Sequence, residues 1–180
     1  MLIAAGSLIF AIYLYKVFRK SFEKKEEQGF GGVFFIIGLI ASFFGLGLYF
    51  SEPIPAQYIE IYGVGYLVFT LLMIIGGLSL MFNWNEKPAS YLAVIGGIML
   101  LGSAYTVFSF SLSKSPFSTA LMFGLSGLGS ISSIILTHST KRLKVLEWLV
   151  ILIFVAVGLL TLYSGMHAQY GHVASTLAAK

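Results

Sequence analysis

The chain has 180 residues, of which 58% are hydrophobic and 10% are charged, and its net charge is +4. It has no cysteine, which excludes disulfides, thiolate metal sites and iron–sulfur clusters. The basic residues lie in short gaps beside apolar segments, a placement typical of membrane topology and not of nucleic-acid binding. The composition therefore predicts a single membrane domain with no separate soluble domain.

Six apolar segments follow one another along the chain. A helix needs about 20 such residues to cross the hydrocarbon core, and its backbone must satisfy its own hydrogen bonds there. The spans are predicted at residues 2–18, 31–50, 62–82, 90–112, 117–137 and 146–165. The sequence thus predicts an all-α, polytopic membrane protein with six transmembrane helices.

The first segment differs from a secretory signal, because its positive charges, Lys16, Arg19 and Lys20, follow the apolar stretch. We interpret it as an uncleaved first span. The charged gap after it is expected to extend the first helix, with Lys20 and Glu23 at helical pair spacing.

Most of the basic residues fall in alternate gaps or at their edges. Only Lys114 and Lys180 lie elsewhere among the eleven Lys and Arg of the chain. The positive-inside rule therefore places the first, third and fifth gaps in the cytoplasm, with both termini outside. We expect a multi-pass protein of the plasma membrane. The basic residues in the odd gaps are Lys16, Arg19, Lys20, Lys24, Lys25, Lys87, Lys141, Arg142 and Lys144.

Two glycine pairs, Gly76-Gly77 and Gly96-Gly97, lie in the third and fourth spans at similar distances from the turn FNWNEKPA. In an antiparallel hairpin they are predicted to meet, since glycine lets two membrane helices approach closely. The expected role is helix packing, and the alternative is a wall beside a pore or hinge.

Hydroxyl side chains form stripes in the fourth and fifth spans. The fifth-span spacing of i, i+4, i+7 and i+11 places four of them on one helical face. Such hydroxyls can line a path for a neutral polar solute, or they can bond to the carbonyls of their own helix. The pore-lining candidates are Ser103, Thr106, Ser126, Ser130, Ser133 and Thr137.

Four further residues are candidates for a gate or an edge site. Tyr66, Phe69 and Tyr105 lie deep in predicted spans and form either core or a narrow gate. Glu60 lies just before the third span and ends the proline-containing outer loop, which could act as a lid or docking surface.

No ionisable side chain lies at the centre of a span, which argues against proton pumping, charge-coupled transport and haem ligation within the bundle. We therefore expect no cofactor and no catalytic residue. The metal-site candidates are His167 and His172 in the outer tail, with Met166 and Glu52 or Glu60, but they lack a third well-spaced nitrogen ligand.

The central stretch resembles an uncharacterised archaeal and bacterial membrane family called domain of unknown function 981. The likeness rests on Pro53 and Pro55 in the outer loop, on Tyr62-Gly63, and on the turn that runs from Trp84 to Tyr91. It covers roughly residues 30–135. Val64 stands where the family often has an acidic residue, and the resemblance implies no established activity.

The chain also resembles the bacterial urea and amide channels, which have six spans and both ends outside. The shared features are Met1-Leu2, Tyr62-Gly63 and a Trp84 to Tyr91 turn. Those channels line their pore with tryptophans on the fifth span, whereas residues 122–134 contain none.

Two functions follow as expectations. The first is a passive, non-enzymatic channel or facilitator for a small uncharged solute such as urea, a short amide or ammonia. The alternative is a non-catalytic structural subunit of a larger membrane complex, respiratory or oxygenase. The expected partners are the lipid bilayer and either further copies of the chain or foreign subunits, with no nucleic acid.

Overall fold

The fold is known from a computed structural model of the protein. The structure describes residues 1–51, 56–113, 115–139 and 143–178. Within these ranges its account of side chains leaves out residues 48, 49, 51, 56–58, 60, 64, 168, 169 and 171–178. The proline-containing loop segment 52–55 and the side chains of Glu60 and His172 therefore lie outside the described residues.

The described chain is entirely helical apart from turns. All six helices are long and apolar enough to cross a membrane, which confirms the predicted all-α architecture of a membrane protein. The helices are α1 (Leu2–Arg19), α2 (Lys24–Ser51), α3 (Ala56–Phe82), α4 (Lys87–Ser109), α5 (Pro116–His138) and α6 (Lys144–Ala178).

The helices form a closed ring in chain order. Each packs against the helix before it and the helix after it, and α6 returns to pack against α1. The most extensive contacts join α4 to α5, α2 to α3 and α1 to α6. The bundle is therefore built from three close pairs, and the looser contacts between pairs complete the ring.

The first charged gap does not extend α1, contrary to the sequence prediction. Lys20 adopts a left-handed conformation with φ of 52°, and the amide of Ser21 donates to the carbonyl of Lys16. These contacts end α1 and turn the chain back, so the charged residues begin α2 instead. An ion pair between Lys16 and Glu26 joins the two helices across this turn.

The predicted meeting of the two glycine pairs is not found. A Cβ atom added to Gly77 would lie 2.7 Å from the carbonyl oxygen of Gly31 on α2. A Cβ atom added to Gly97 would lie 2.7 Å from the carbonyl oxygen of Gly127 on α5. Successive helical residues point about 100° apart, so each pair serves two different neighbours. Gly96 faces Val68 of α3, and Gly76 has no atom within 4 Å of an added Cβ.

Candidate functional site

The ring of helices surrounds a central cavity of about 670 Å³. This is the size of many small-molecule sites. Met1, Tyr62 and Gly165 line one end, called here the Met1 end. Glu86 and Thr137 line the other, called the Glu86 end. The cavity therefore extends along most of the bundle.

The fifth helix turns its hydroxyl stripe toward this cavity. Ser126, Ser130, Ser133 and Thr137 all line it. The hydroxyls of Ser126 and Thr137 donate to the carbonyls of Met122 and Ser133, at 2.7 and 2.8 Å. These bonds use the single hydroxyl proton and leave oxygen lone pairs as acceptors. Both expected roles, back-bonding to the helix and lining of a path, are therefore compatible at these residues.

The hydroxyls of the fourth helix lie elsewhere. Ser103 is buried but does not line the cavity, and the hydroxyl of Thr106 donates to the carbonyl of Gly102 at 3.0 Å. Tyr105, a gate candidate, is 72% exposed on the outer face of the bundle. The structure thus separates these three residues from the stripe of α5. The reason is that α4 presents Ala93 and Leu100 to the cavity instead.

Two of the gate candidates line the cavity. Tyr66 and Phe69 both lie on the inward face of α3. Phe69 reaches across to α1, where a Cβ atom added to Gly6 would come within 2.6 Å of its ring. Phe69 therefore narrows the space between α1 and α3. The side chain of Glu60, the remaining candidate, lies outside the described residues.

An aromatic wall closes the side of the cavity between α1, α2 and α6. Phe10 packs edge-to-face against Phe154 with ring centroids 4.8 Å apart, and Tyr13 packs likewise against Phe34 at 5.6 Å. All four rings line the cavity. Together with Leu72 they make its middle predominantly apolar.

The Glu86 end is the polar end of the cavity. Glu86 lies in the turn between α3 and α4, where it keeps exposed surface and also lines the cavity. The surrounding protein removes part of the hydration of its carboxyl, and this burial, together with the negative charge of Glu27, raises the pKa of Glu86 above its ordinary value. Ser90 and Ser133 line the same end. The Oγ of Ser133 is buried and has no hydrogen-bond partner among the described residues.

The described metal-site candidates lie in the C-terminal part of α6. His167 is exposed and stacks on Tyr163 with ring centroids 6.2 Å apart, and Met166 is also exposed. Within the described ranges, no three His, Cys, Asp or Glu side chains lie close enough together to hold a metal ion. The side chain of His172 lies outside those ranges.

Comparison with known families adds an identification. The model of the family described as Protein of unknown function (DUF981) matches residues 1–175. The chain belongs to this family. The match covers all of α1 to α5 and most of α6, so the six-helix ring is the DUF981 domain itself. Among curated proteins and solved structures nothing matches the chain, and the likeness to urea and amide channels stays a prediction.

The sequence did not indicate that several residues of this DUF981 protein line the cavity. Glu86 lies in the gap between the third and fourth predicted spans, and no sequence pattern there indicates that its side chain lines a cavity. Phe10, Tyr13 and Phe154 lie among many aromatics in apolar spans, and no sequence signal separates inward from outward rings. Gly76 borders open space in the cavity, as expected for the alternative role of the glycine pairs, a wall beside a pore.

Proposed function

We propose that the protein is a passive channel or facilitator for a small uncharged solute such as ammonia, urea or a short amide. The observation that carries the proposal is the central cavity, which six helices enclose and which is lined from the Met1 end to the Glu86 end. A path through the centre of one chain would need such a space, whereas a purely structural subunit would not.

The lining supports a preference for uncharged solutes. Its middle is apolar, and moving an ion into such surroundings without a partner costs far more than moving a neutral polar group, for which the cost is about 2–7 kcal/mol. The hydroxyl oxygens of Ser126 and Ser130 lie along this middle section and offer acceptors to N–H or O–H groups. A small neutral solute therefore meets the lowest barrier.

The proposal includes the setting of the protein. We place it in the plasma membrane, as a homo-oligomer in which each chain carries its own cavity, or as part of a hetero-complex. Exposed large side chains cover the outer face of the ring, including Phe43, Ile98 and Tyr105, and this surface suits contact with lipid or with other membrane helices.

Blocking the cavity tests the proposal. Gly76 lines the cavity, and a Cβ atom added there meets no atom within 4 Å, so Gly76→Leu would project into the open space. Gly102 is equally open but does not line the cavity, which makes Gly102→Leu the matched control. Stopped-flow light scattering on proteoliposomes would measure urea, acetamide, glycerol, ammonia and water permeability.

We expect the wild type and Gly102→Leu to conduct at least one of these solutes, and Gly76→Leu to conduct it about tenfold less or below. A solute that passes Gly76→Leu would have to push the new leucine side chain against its neighbours. Such crowding costs about 1–3 kcal/mol, and about 1.4 kcal/mol corresponds to a factor of ten. Permeability equal to that of empty liposomes for every solute would reject the channel. Co-purification with stoichiometric foreign subunits would then favour the structural role.

A further inference from the structure

The Glu86 end of the cavity holds a carboxyl group without a countercharge. In the described part of the chain the single ion pair joins Lys16 to Glu26. Glu86 therefore has no Lys, Arg or His within ion-pair distance there, and its carboxyl makes no capping bond at the start of α4. Glu86 keeps exposed surface where it borders the cavity, so its unpaired carboxylate is accessible to a cation from solution.

A second acid, Glu27, adds negative charge near Glu86. Glu27 lies near enough to Glu86 to raise the pKa of the Glu86 carboxyl, and both acids interact electrostatically with Tyr13. Two neighbouring carboxylates favour a positive charge close to them. Glu27 does not line the cavity, so Glu86 is the acid that presents this field to its interior.

The remaining groups at this end are suited to N–H donors. The Oγ of Ser133 is buried and unpartnered among the described residues, and the hydroxyl of Ser90 already donates to the carbonyl of Lys87 at 2.7 Å. The hydroxyl of Thr137 donates to the carbonyl of Ser133 and also lies 3.1 Å from Nδ1 of His138. The oxygen atoms of these hydroxyls keep lone pairs that can act as acceptors.

We propose that the Glu86 end is a binding site for a small protonated amine, such as ammonium or a primary alkylammonium. Glu86 supplies the negative charge, and the hydroxyl oxygens of Ser90, Ser133 and Thr137 supply acceptors for the N–H groups. A divalent metal ion fits less well, because a single carboxylate faces the cavity here and such ions are held by several hard oxygen ligands. The site rests on the proposed function, because it would concentrate protonated amines at one opening of the proposed solute path.

The test uses purified full-length protein and does not depend on flux. The chain has two tryptophans, and Trp84 lies two residues before Glu86 in the same turn. In a Trp148→Phe background, Trp84 fluorescence would be titrated with methylammonium, tetramethylammonium and sodium chlorides at matched ionic strength. The thermal unfolding midpoint would be measured under the same conditions, because a ligand that binds the folded state raises it.

We expect a saturable fluorescence change and a higher midpoint with methylammonium alone. In Glu86→Gln the apparent affinity should fall about tenfold or more, the usual effect of losing a charge-assisted hydrogen bond. The matched control is Glu23→Gln, an acid of the α1–α2 turn that does not line the cavity, and it should bind as the wild type does.

Three outcomes would overturn the site. The first is no change in Trp84 fluorescence or in the unfolding midpoint with methylammonium. The second is an equal response to tetramethylammonium, which has no N–H donor. The third is unchanged methylammonium binding by Glu86→Gln. A protein that binds methylammonium but conducts no solute would leave this site standing and reject the proposed channel. The two failures are therefore distinguishable.

Discussion

Single residues set the character of the cavity ends. Glu86 brings a carboxyl group with no ion-pair partner among the described residues, and Ser133 brings a buried hydroxyl oxygen with no hydrogen-bond partner there. A buried hydroxyl such as that of Ser133 is destabilising unless a ligand or water satisfies it, whereas the exposed Glu86 carboxyl can be hydrated. Both residues therefore offer polar groups that a ligand in the cavity could bind.

The stability of the protein should depend on pH through Glu86. Its pKa is raised in the folded state, so between the ordinary and the raised value the folded protein holds a proton that the unfolded chain has lost. Stability is therefore expected to fall as pH rises through this interval. Glu86→Gln should unfold at a higher temperature than the wild type at neutral pH, and the gain should disappear in acid.

Thermal unfolding in detergent across this pH range measures the effect, with Glu23→Gln as the control. A Glu86→Gln protein whose advantage stays constant from neutral to acid pH would show that the carboxyl charge is not its source.

At the scale of elements, small residues decide which helices pair. Reciprocal glycine contacts join α2 to α3 through Gly31 and Gly77, and α4 to α5 through Gly97 and Gly127. Gly158 of α6 lies against Leu8 of α1, and an added Cβ would come within 2.6 Å of that side chain. In lipid, helices gain contact energy chiefly by close approach, so the three close pairs coincide with these glycines.

Replacing a glycine at one of these contacts should weaken the packing of α4 against α5. In Gly97→Ala the new methyl group would meet the backbone oxygen of Gly127 at 2.7 Å and force the helices apart. We expect a loss of about 1–3 kcal/mol in the free energy of unfolding. Gly102→Ala on the same helix meets no atom within 4 Å and should be neutral or slightly stabilising, because alanine favours a helix.

Denaturation monitored by size-exclusion chromatography compares the two variants directly. If Gly97→Ala were as stable as Gly102→Ala, the close approach of α4 and α5 at Gly97 would not contribute to the stability of the fold.

For the whole molecule, closure of the ring creates the cavity. The first and last helices pack together, so no side of the central space is left without a helix. The Glu86 end contains the α1–α2 and α3–α4 turns, and the charge distribution predicts that this end faces the cytoplasm. This orientation would place the proposed amine site on the inner side of the membrane.

The predicted orientation can be measured with introduced cysteines, since the chain has none of its own. Ser115, in the α4–α5 turn, and Ser21, in the α1–α2 turn, are both exposed. In intact cells a membrane-impermeant maleimide should label Ser115→Cys, and it should label Ser21→Cys only after permeabilisation. The reverse pattern would place both termini in the cytoplasm.

The sequence by itself determined the number and type of the helices. Apolar length and the need to satisfy backbone hydrogen bonds in lipid leave no other structure for such segments. It also determined that the hydroxyls of α5 share one face, because helical periodicity fixes that relation. Only the tertiary structure decided which faces turn inward. Lipid is as apolar as the interior of a helix bundle, so hydrophobicity cannot distinguish Phe69 in the cavity from Tyr105 on the outer surface.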